Sequence, residues 1–312
     1  RYSSSAASDV YKRQKLGSIN NKAVLINDND YFDIETISNG EVSSNTIEAL
    51  ASSEKLSILN SKLDEFKPNG SLNDVSLDPP VVPNNVFAVG LNYKAHAEEA
   101  NMEIPQFPLI FTRLSTCLSG PSSNIEMRSD LVDYEAELVF VIGKGGKNIS
   151  KENAWDHVAG LTVGQDISDR AVQFHATPPQ FSLGKSFDTF GPIGPYIVST
   201  DELKNKESLQ IECWVNDEKR QDSNTDDLIF DIPFLISYIS EFITLNVGDL
   251  IFTGTPSGVG GTQGKFLKDG DILKTSIEGI GTLENKCVKV KEHSNADHMP
   301  EFIKSRIPSD ED

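Results

Sequence analysis

Short apolar runs separated by Gly, Pro, Asn and Asp clusters dominate the chain between residues 84 and 290. Such runs are typical of β-strands. Helical spacing is rarer: it occurs in NYKAHAEEAN, in KENAWDHVAG and at about 231–245, where Asp231 is the expected N-cap and Pro233 lies in the first turn. Because strands and helices do not alternate, we predict a β-rich α+β domain. The predicted strands are NVFAVGL, PLIFTRL, ELVFVIG, GPYIVS, LQIECWVN, DLIFTGT, DILKTSIEG and CVKVKE.

The segment before this domain has a different pattern. KAVLIND and DYFDIET predict two short strands around a turn, and SNTIEALASSEKLSILNSKLDEF is partly helical in spacing. LDPPVVPNN then breaks the pattern with three prolines. We therefore predict a small N-terminal α+β domain at 15–80 and a main domain at 84–290. Residues 1–14 are predicted to be a non-native or disordered tail, and residues 293–312 an acidic mobile tail.

Composition narrows the choice of partners and compartment. The 312 residues include 47 acidic and 28 basic side chains, for a net charge of −19. This charge argues against nucleic acid or an anionic membrane as a partner, and no apolar run approaches the ~20 residues of a membrane helix. Cys117, Cys213 and Cys287 are far apart and lack zinc-site spacing. We therefore expect a reducing, cytoplasmic setting.

A row of acids opens one predicted strand, in DYEAELVFVI at 133–142. Asp133, Glu135 and Glu137 fall on one face of a strand because side chains alternate. Carboxylates at such short separations repel one another unless a cation lies between them. Mg²⁺ prefers carboxylate ligands. One interpretation is a metal site. The other is a strand with a solvated acidic face.

A single acid and a polar pair are two further candidates for site residues. In GLTVGQDISDR, Asp166 follows an apolar run and can complete a set of three carboxylates, although a turn or helix-cap role is equally compatible. In GLNYKAHAEEA, His96 and Glu99 share a helix face at i, i+3. A carboxylate beside an imidazole is a general-base arrangement. A chance pair on an exposed helix is the alternative.

Two glycine-containing segments offer sites for anions. In FSLGKSFDTFGPIGP, Lys185 can stabilise a developing oxyanion, whereas a phosphate loop is excluded because Pro179 occupies the position of its first glycine. GDLIFTGTPSGVGG leads a strand into a loop whose N–H groups can approach a small anion. Gly254 and Gly258 do not fit a dinucleotide fingerprint. The alternative interpretation of each segment is an ordinary turn without a binding role.

Taken together and in this order, these segments resemble the fumarylacetoacetate hydrolase family. The resemblance spans about 86–287 and implies a mixed β-sandwich roll with a partly barrel-like sheet, usually in a homodimer. The N-terminal region is similar to that of longer bacterial members. The matching segments are VGLNYKAHAEE, DYEAELVFVIGK, GLTVGQDISDR, FSLGKSFDTFGPIGP, VNDEKRQ and GDLIFTGTPSGVG.

The resemblance also implies roles for individual residues. It implies Mg²⁺ or Mn²⁺ as cofactor, with the ligands Glu135, Glu137 and Asp166, while Asp133 is expected to lie outside the metal site. The implied catalytic residues are His96, Glu99 and Lys185. The implied substrate-binding residues are Tyr93, Arg113, Gln173 and Thr255.

Two positions depart from the family pattern. Arg113 stands where many members carry Lys, and a guanidinium can grip a carboxylate with two hydrogen bonds. The family commonly shows Ser-Ala-Arg-Asp-x-Gln after the metal-binding Asp. Here Asp169 precedes Arg170 and Ala171 follows it, so the acidic residue lies before the arginine and not after it.

The activity implied by the resemblance is Mg²⁺-dependent hydrolysis of a C–C bond in a 2,4-dioxo acid, such as an acylpyruvate or a 2,4-diketo-3-deoxy sugar acid. The metal would stabilise the enolate formed on cleavage. Without water attack, the same enolate leads to isomerisation or decarboxylation of 2-hydroxymuconate-type diacids, or to tautomerisation or decarboxylation of oxaloacetate. A divalent-ion-binding structural protein is a further alternative, in which His96, Glu99 and Lys185 have no chemical role.

Overall fold

The computed structural model describes residues 14–290. The predictions for the N-terminal tail, Gln14 excepted, and for the acidic tail at 293–312 lie outside the described residues. No helix in the described range is long and apolar enough to cross a bilayer. The helices are α1 (Ile34–Ile37), α2 (Thr46–Ala51), α3 (Ser53–Asn60), α4 (Lys94–Glu99), α5 (Arg170–Gln173), α6 (Phe181–Gly184), α7 (Ile232–Phe242) and α8 (Gly260–Gln263).

The fold is dominated by strands, which form two large mixed sheets. The strands are β1 (Lys15–Ile19), β2 (Lys22–Asn27), β3 (Asp30–Asp33), β4 (Gly70–Ser71), β5 (Val86–Gly90), β6 (Leu109–Arg113), β7 (Leu118–Ser119), β8 (Ile125–Met127), β9 (Val132–Asp133), β10 (Ala136–Ile142), β11 (Val158–Gln165), β12 (Ser168–Asp169), β13 (Gly191–Val198), β14 (Gln210–Val215), β15 (Glu218–Asn224), β16 (Leu250–Phe252), β17 (Ile272–Ile277) and β18 (Gly281–Lys289).

The larger sheet has the order β4-β3-β2-β1-β13-β11-β10-β16-β5-β6, and β7 also pairs with β13. The second sheet has the order β15-β14-β17-β18-β8, and β9 and β12 form a separate two-stranded ladder. Most pairs are antiparallel, whereas β16 and β5, β18 and β8, and β13 and β7 run parallel. The predicted β-rich α+β fold is confirmed, and the sheets formed by the described strands are open and not closed into a barrel.

Strand β10 lies between two hydrophobic cores. All seven of its residues are buried. Leu138, Phe140 and Ile142 face the core shared with the second sheet, whereas Val139 and Val141 face the core shared with the N-terminal region. Because both faces are covered, the strand has a continuous apolar sequence and not an alternating one. The acids at its start are therefore carried on one of the most enclosed strands of the fold.

The N-terminal region extends the larger sheet. Its strand β1 pairs with β13 through Lys15 and Leu16. Apolar side chains of the region, such as Leu25 and Phe32, share a core with Val139. The region predicted at 15–80 thus covers one face of the strands that carry the candidate site.

The predictions of single helices and strands hold where the sequence signal is strong and fail where it is ambiguous or polar. Helix α7 begins as expected, because the side chain of Asp231 accepts the N–H of Phe234 at 2.7 Å. The KENAWDHVAG helix is wrong beyond its first part: residues 151–157 form a 3₁₀ helix, and Val158 already pairs with β10. Strand β15 was not predicted because its sequence, EKRQDSN, is almost wholly polar.

A buried asparagine fixes the turn between β5 and α4. Leu91 has a positive φ of 54°, which is unusual for a bulky residue. The fully buried Asn92 amide donates to the carbonyls of Phe230 and Thr253 and accepts the N–H of Phe230. The turn that starts α4 is thereby tied to the segment before α7 and to the end of β16.

We expect Asn92→Ala to lower the free energy of unfolding by about 2–4 kcal/mol, because it leaves one N–H and two carbonyls buried without their partner. Urea unfolding followed by circular dichroism measures the loss. Asn85→Ala is the matched control, since the Asn85 amide donates to Asp249 at a half-buried site and should cost much less. Equal losses in the two variants would contradict the role given to Asn92.

Candidate active site

Three buried carboxylates meet where β10 begins and β11 ends. Glu135 precedes β10, Glu137 lies within it, and Asp166 follows β11. The strands are antiparallel, and the Asp166 N–H donates to the carbonyl of Glu135 at 2.9 Å. One carboxylate oxygen from each residue lies within 4.8 Å of those of the other two. The structure therefore brings the predicted ligand set together.

Lys185 lies against two of these acids. Its ammonium donates to Glu135 Oε2 at 2.8 Å, to Asp166 Oδ2 at 2.9 Å and to Ser168 Oγ at 2.7 Å. These contacts occupy all three of its hydrogen atoms. The side chain reaches the site from the segment after α6 and is almost completely buried. The lysine predicted to be catalytic is thus in direct contact with the predicted metal ligands.

The two glutamates differ sharply in electrostatics. Burial alone would raise the pKa of Glu135, but Lys185 and Arg170 overcome it and lower the pKa to about 2. Burial also raises the pKa of Glu137, and here the neighbouring Asp166 and Glu135 raise it further, to well above its ordinary value. Among residues 14–290, the Gly254 N–H makes the only hydrogen bond to the Glu137 carboxylate, at 2.7 Å. Glu137 is therefore the acid of the site that lacks a cation.

Asp133 is the anchor of the site and stands apart from the triad. Its Oδ1 accepts the N–H groups of Tyr134 and Gly260, and its Oδ2 accepts that of Gly261. Arg170 donates to Oδ2 from Nε at 2.9 Å and from Nη2 at 2.7 Å. The same Nη2 donates to Glu135 Oε1 at 2.7 Å. Asp133 thus holds the start of α8 and the arginine that neutralises Glu135.

The charge balance of the site fits a divalent cation. Its buried acids outnumber its cations by one: the acids are Asp133, Glu135, Glu137 and Asp166, and the cations are Arg113, Arg170 and Lys185. Asp166 Oδ1 is buried without a hydrogen-bond partner in the described structure, although Arg113 Nε lies 3.2 Å away. A free carboxylate oxygen beside an uncompensated glutamate is suited to a hard cation such as Mg²⁺ or Mn²⁺. Glu135, Glu137 and Asp166 would hold it.

The predicted dyad lies on α4 and is anchored to the glycine-rich loop. His96 Nδ1 is 3.5 Å from Glu99 Oε2, and their side chains are 15% and 22% exposed. Glu99 Oε2 also accepts the N–H of Gly258 at 3.0 Å. Within the described part of the chain, His96 Nδ1 has no hydrogen-bond partner at this separation, and catalytic pairs often tighten only when substrate binds. The arrangement places a partly accessible imidazole beside a fixed carboxylate.

The predicted substrate-binding residues fall into two groups. The hydroxyl of Tyr93 is fully buried and has no partner among the described groups; burial raises its pKa, with Glu137 the next cause. Gln173, on α5, accepts from Arg170 Nη1 through its carbonyl oxygen. Thr255, by contrast, donates to the carbonyl of Ala136 and accepts from a glutamine amide. Tyr93 therefore retains unused hydrogen-bonding capacity, whereas the Thr255 hydroxyl is engaged within the protein.

Arg113 is engaged mainly with backbone carbonyls. It donates to Lys185 O from Nε and Nη2, to Phe190 O from Nη2 at 2.8 Å, and to Gln165 O from Nη1 at 3.3 Å. Its guanidinium also lies 4.7 Å from the centre of the Phe252 ring. These contacts hold both ends of the 185–190 segment. They favour a role for Arg113 in placing Lys185, whereas its predicted contact with substrate stays a prediction.

The changed acid at position 169 has a local role. The Asp169 side chain accepts the N–H of Val172 and so caps α5, which carries Arg170 and Gln173. Burial raises the pKa of Asp169. Ala171, where the family commonly has an acid, is buried. Asp169 therefore caps the helix that carries Arg170, and Arg170 contacts Glu135.

Comparison with known proteins identifies the family. Residues 85–288 match the family model described as "Fumarylacetoacetate (FAA) hydrolase C-terminal". The chain belongs to the fumarylacetoacetate hydrolase family. The matched range agrees closely with the 86–287 range of the sequence resemblance, and it contains every residue assigned above to the candidate site.

Two relatives of this family member carry the same activity in their names. The oxaloacetate tautomerase YisK of Bacillus subtilis is 37% identical over 303 residues, covering 90% of this chain and 98% of its own. The mitochondrial oxaloacetate tautomerase fahd2 of Xenopus laevis is 42% identical over 233 residues, covering 73% of each chain. The bacterial match extends well beyond the catalytic segment and so takes in most of the N-terminal region.

A solved structure in the same family supports the fold. The maleylpyruvate hydrolase of Sphingobium sp. SYK-6, crystallised with manganese(II) and pyruvate, superposes with a TM-score of 0.75 at 29% identity. It covers 88% of this chain and 99% of its own. Family members with this fold thus include both tautomerases and a hydrolase.

The contrast between Glu135 and Glu137 predicts opposite effects of one substitution. The pKa of Glu137 is raised, so its contribution to stability is greatest below the ordinary value of 4.5 and is lost as pH rises towards the raised pKa. In metal-free protein at pH 7, Glu137→Gln should therefore increase the free energy of unfolding, by about 1 kcal/mol or more. The pKa of Glu135 is lowered, so its contribution is present above 4.5 and is lost as pH falls towards about 2. Glu135→Gln should cost about 3 kcal/mol at pH 7.

Urea unfolding of both variants in EDTA at pH 7 and at pH 5 tests this contrast. The gain from Glu137→Gln should shrink at the lower pH, because the destabilisation that goes with the raised pKa fades as pH falls towards the ordinary value of 4.5. If both substitutions destabilise the metal-free protein equally, the assignment of Glu137 as the uncompensated acid is wrong.

Proposed function

We propose that this protein is a divalent-metal-dependent tautomerase that interconverts the keto and enol forms of oxaloacetate or a closely related 2-oxo diacid. The observation that carries the proposal is the buried triad of Glu135, Glu137 and Asp166 with Lys185 against it. The His96–Glu99 dyad is close enough for His96 to help lower the pKa of Glu135. The names of the two relatives support the substrate. Tautomerisation, an alternative in the sequence analysis, thus takes precedence over hydrolysis.

The charge of the site suits an anionic substrate only once a cation is present. The side chains alone leave one negative charge uncompensated, which would repel a dicarboxylate. A bound Mg²⁺ or Mn²⁺ supplies Lewis-acid polarisation of the 2-oxo group and reverses the sign of the local charge. The protein's own contribution is to keep Glu135 ionised through Arg170 and Lys185, so that one ligand is ready without losing a proton.

His96 is the group that would move the proton. An imidazole can accept a proton from C3 of the substrate and release it again. Breaking this C–H bond forms the C2=C3 double bond and places the charge on the C2 oxygen. Returning the proton to that oxygen completes the enol. Glu99 would orient the ring and stabilise its protonated form, and Gly258 holds Glu99 in place.

Lys185 would stabilise the charge that develops on oxygen. Its ammonium is buried and held by Glu135, Asp166 and Ser168. A fixed cation in a site of low dielectric stabilises a developing oxyanion better than a mobile one in water. Arg113 would keep this ammonium in place by bonding the carbonyl of Lys185 itself.

Hydrolysis of a C–C bond in a 2,4-dioxo acid is the second candidate. The partial exposure of His96 and Glu99 favours it, because water can reach the imidazole and be activated there. The maleylpyruvate hydrolase neighbour, with manganese and pyruvate, supports the same chemistry. The two candidates differ in whether the base acts on a carbon-bound proton or on water.

A turnover assay separates the candidates. Purified protein with Mg²⁺ or Mn²⁺ should speed the decay of enol oxaloacetate, followed by its ultraviolet absorbance, and EDTA should abolish the effect. Acylpyruvates and 2,4-diketo-3-deoxy sugar acids, assayed in parallel, report hydrolysis. If oxaloacetate is unaffected while one of these is cleaved, hydrolysis replaces tautomerisation. Activity that survives full chelation would contradict both metal-dependent candidates.

The dyad predicts a sharp difference between neighbouring acids on α4. Glu99→Gln should lower kcat by about 10²-fold or more, because the imidazole loses the carboxylate that orients it. Glu98→Gln is the matched control, since Glu98 is exposed on the same helix and should retain wild-type kcat. Retained turnover in Glu99→Gln would contradict the catalytic role given to the His96–Glu99 pair.

A homodimer in a reducing compartment completes the proposal. Strand β6 is an edge of the larger sheet. It begins with the exposed Leu109, and exposed apolar side chains precede it at Ile104 and Phe107. An unpaired apolar edge favours association. Cys117, Cys213 and Cys287 are all buried free thiols, in keeping with the cytoplasmic expectation.

Light scattering should give about twice the 34.2 kDa of one chain. The double substitution Phe107→Lys with Leu109→Lys should reduce this to a single chain, because two charges would have to be buried at the edge. Ile58→Lys, at an exposed position on α3, should leave the mass unchanged. A monomeric wild-type protein would overturn the dimer.

A further inference from the structure

The backbone that carries Glu135 falls in a gap between strands. Strand β9 ends at Asp133 and β10 begins at Ala136, so the intervening residues make no regular ladder. Their N–H groups are nevertheless buried and need acceptors. The side-chain carbonyl of Gln165 accepts the N–H of Glu135 at 2.9 Å, and that of Gln221 accepts the N–H of Ala136, also at 2.9 Å. Two glutamine side chains thus accept consecutive backbone N–H groups, one just before β10 and one at its first residue.

Gln165 is held so that only its carbonyl can face Glu135. Its amide donates to Thr275 Oγ1 at 2.6 Å and approaches Cys213 Sγ at 3.5 Å, both in the second sheet. The residue is fully buried. Turning the amide over would place its NH₂ against the N–H of Glu135, which needs an acceptor. The second sheet therefore determines where the acceptor for Glu135 lies.

Both peptide groups of Glu135 are bonded to consecutive residues. Its N–H donates to the side chain of Gln165, and its carbonyl accepts the main-chain N–H of Asp166. The direction of these two bonds fixes the Cα–Cβ bond of Glu135 relative to Asp166. Since both residues belong to the triad, the distance between their carboxylates depends on this local frame.

We infer that Gln165 is a positioning residue, which sets the backbone of Glu135 so that its carboxylate meets those of Glu137 and Asp166 at the separation a divalent cation requires. The inference rests on the metal site of the proposed function. It goes further in assigning a specific part of that site's geometry to contacts with the second sheet. Gln165 acts through Glu135 and would not itself touch the cation or the substrate.

Gln221 offers an internal comparison. It is as deeply buried as Gln165. It also makes three hydrogen bonds: from the Ala136 N–H, to Thr255 Oγ1 and to the carbonyl of Pro256. The residue whose N–H it accepts, however, has no metal-binding side chain. Losing either glutamine should therefore weaken the fold to a similar degree, but only Gln165 acts directly on a ligand residue.

The test measures Mn²⁺ affinity by isothermal titration calorimetry, without any substrate. Gln165→Met keeps the length of the side chain but removes the acceptor, and we expect it to weaken Mn²⁺ binding by about 10- to 100-fold. Gln221→Met should produce a similar fall in melting temperature in EDTA with a much smaller loss of Mn²⁺ affinity.

Each result bears on a distinct claim. If wild-type protein does not bind Mn²⁺, the proposed metal site fails, and this inference fails with it. If wild type binds and Gln165→Met binds equally well, or if the two Met variants lose affinity to the same extent, the positioning role alone is overturned. Should Gln165→Met not fold, Gln165→Asn supplies the same measurement, because its amide is one methylene too short to reach the Glu135 N–H.

Discussion

The organisation of this site follows from the cost of burying like charges. Four carboxylates lie at one end of β10, where little water is available to separate them. Each compensating cation comes from a different part of the chain: Arg113 from β6, Arg170 from α5 and Lys185 from the segment after α6. These cations also bond the backbone or side chains of neighbouring segments. The same side chains therefore compensate the buried charges and hold the neighbouring segments in place.

Such a network is a poor way to gain stability. Buried ion pairs lose much of their attraction to the cost of leaving water, and apolar residues of similar volume are often as stabilising. What the network provides is a fixed geometry, with Asp133 joining the start of α8, Arg170 and Glu135. An enzyme that must stabilise charge as it develops benefits from groups that need not rearrange at that moment. The arrangement is thus better explained by chemistry than by folding.

Sequence reasoning found the parts of the site that depend on local pattern. Glu135 and Glu137 were identified from strand alternation, Asp231 from helix capping, and His96 with Glu99 from helical spacing, and the family resemblance joined them. Sequence reasoning missed the contribution of Gln165 and Gln221. A buried glutamine in a strand has no recognisable sequence pattern, and its role becomes visible only when its hydrogen-bond partners elsewhere in the fold are known. For Arg113 the sequence suggested a substrate carboxylate, while the structure shows carbonyl partners 72 and 77 residues away. Long-range contacts of this kind leave no local pattern to read.

The way the N-terminal region joins the larger sheet affects how the catalytic part can be isolated. Strand β1 covers the edge of β13, and apolar side chains of this region cover Val139 and Phe252. A fragment cut at the boundaries of the family match would begin beside β5 and would leave β13 with an open edge beside an uncovered apolar face. Open edges of this kind template the pairing of further chains. Residues 15–80 thus shield this edge and this apolar face of the larger sheet, and a fragment without them would expose both.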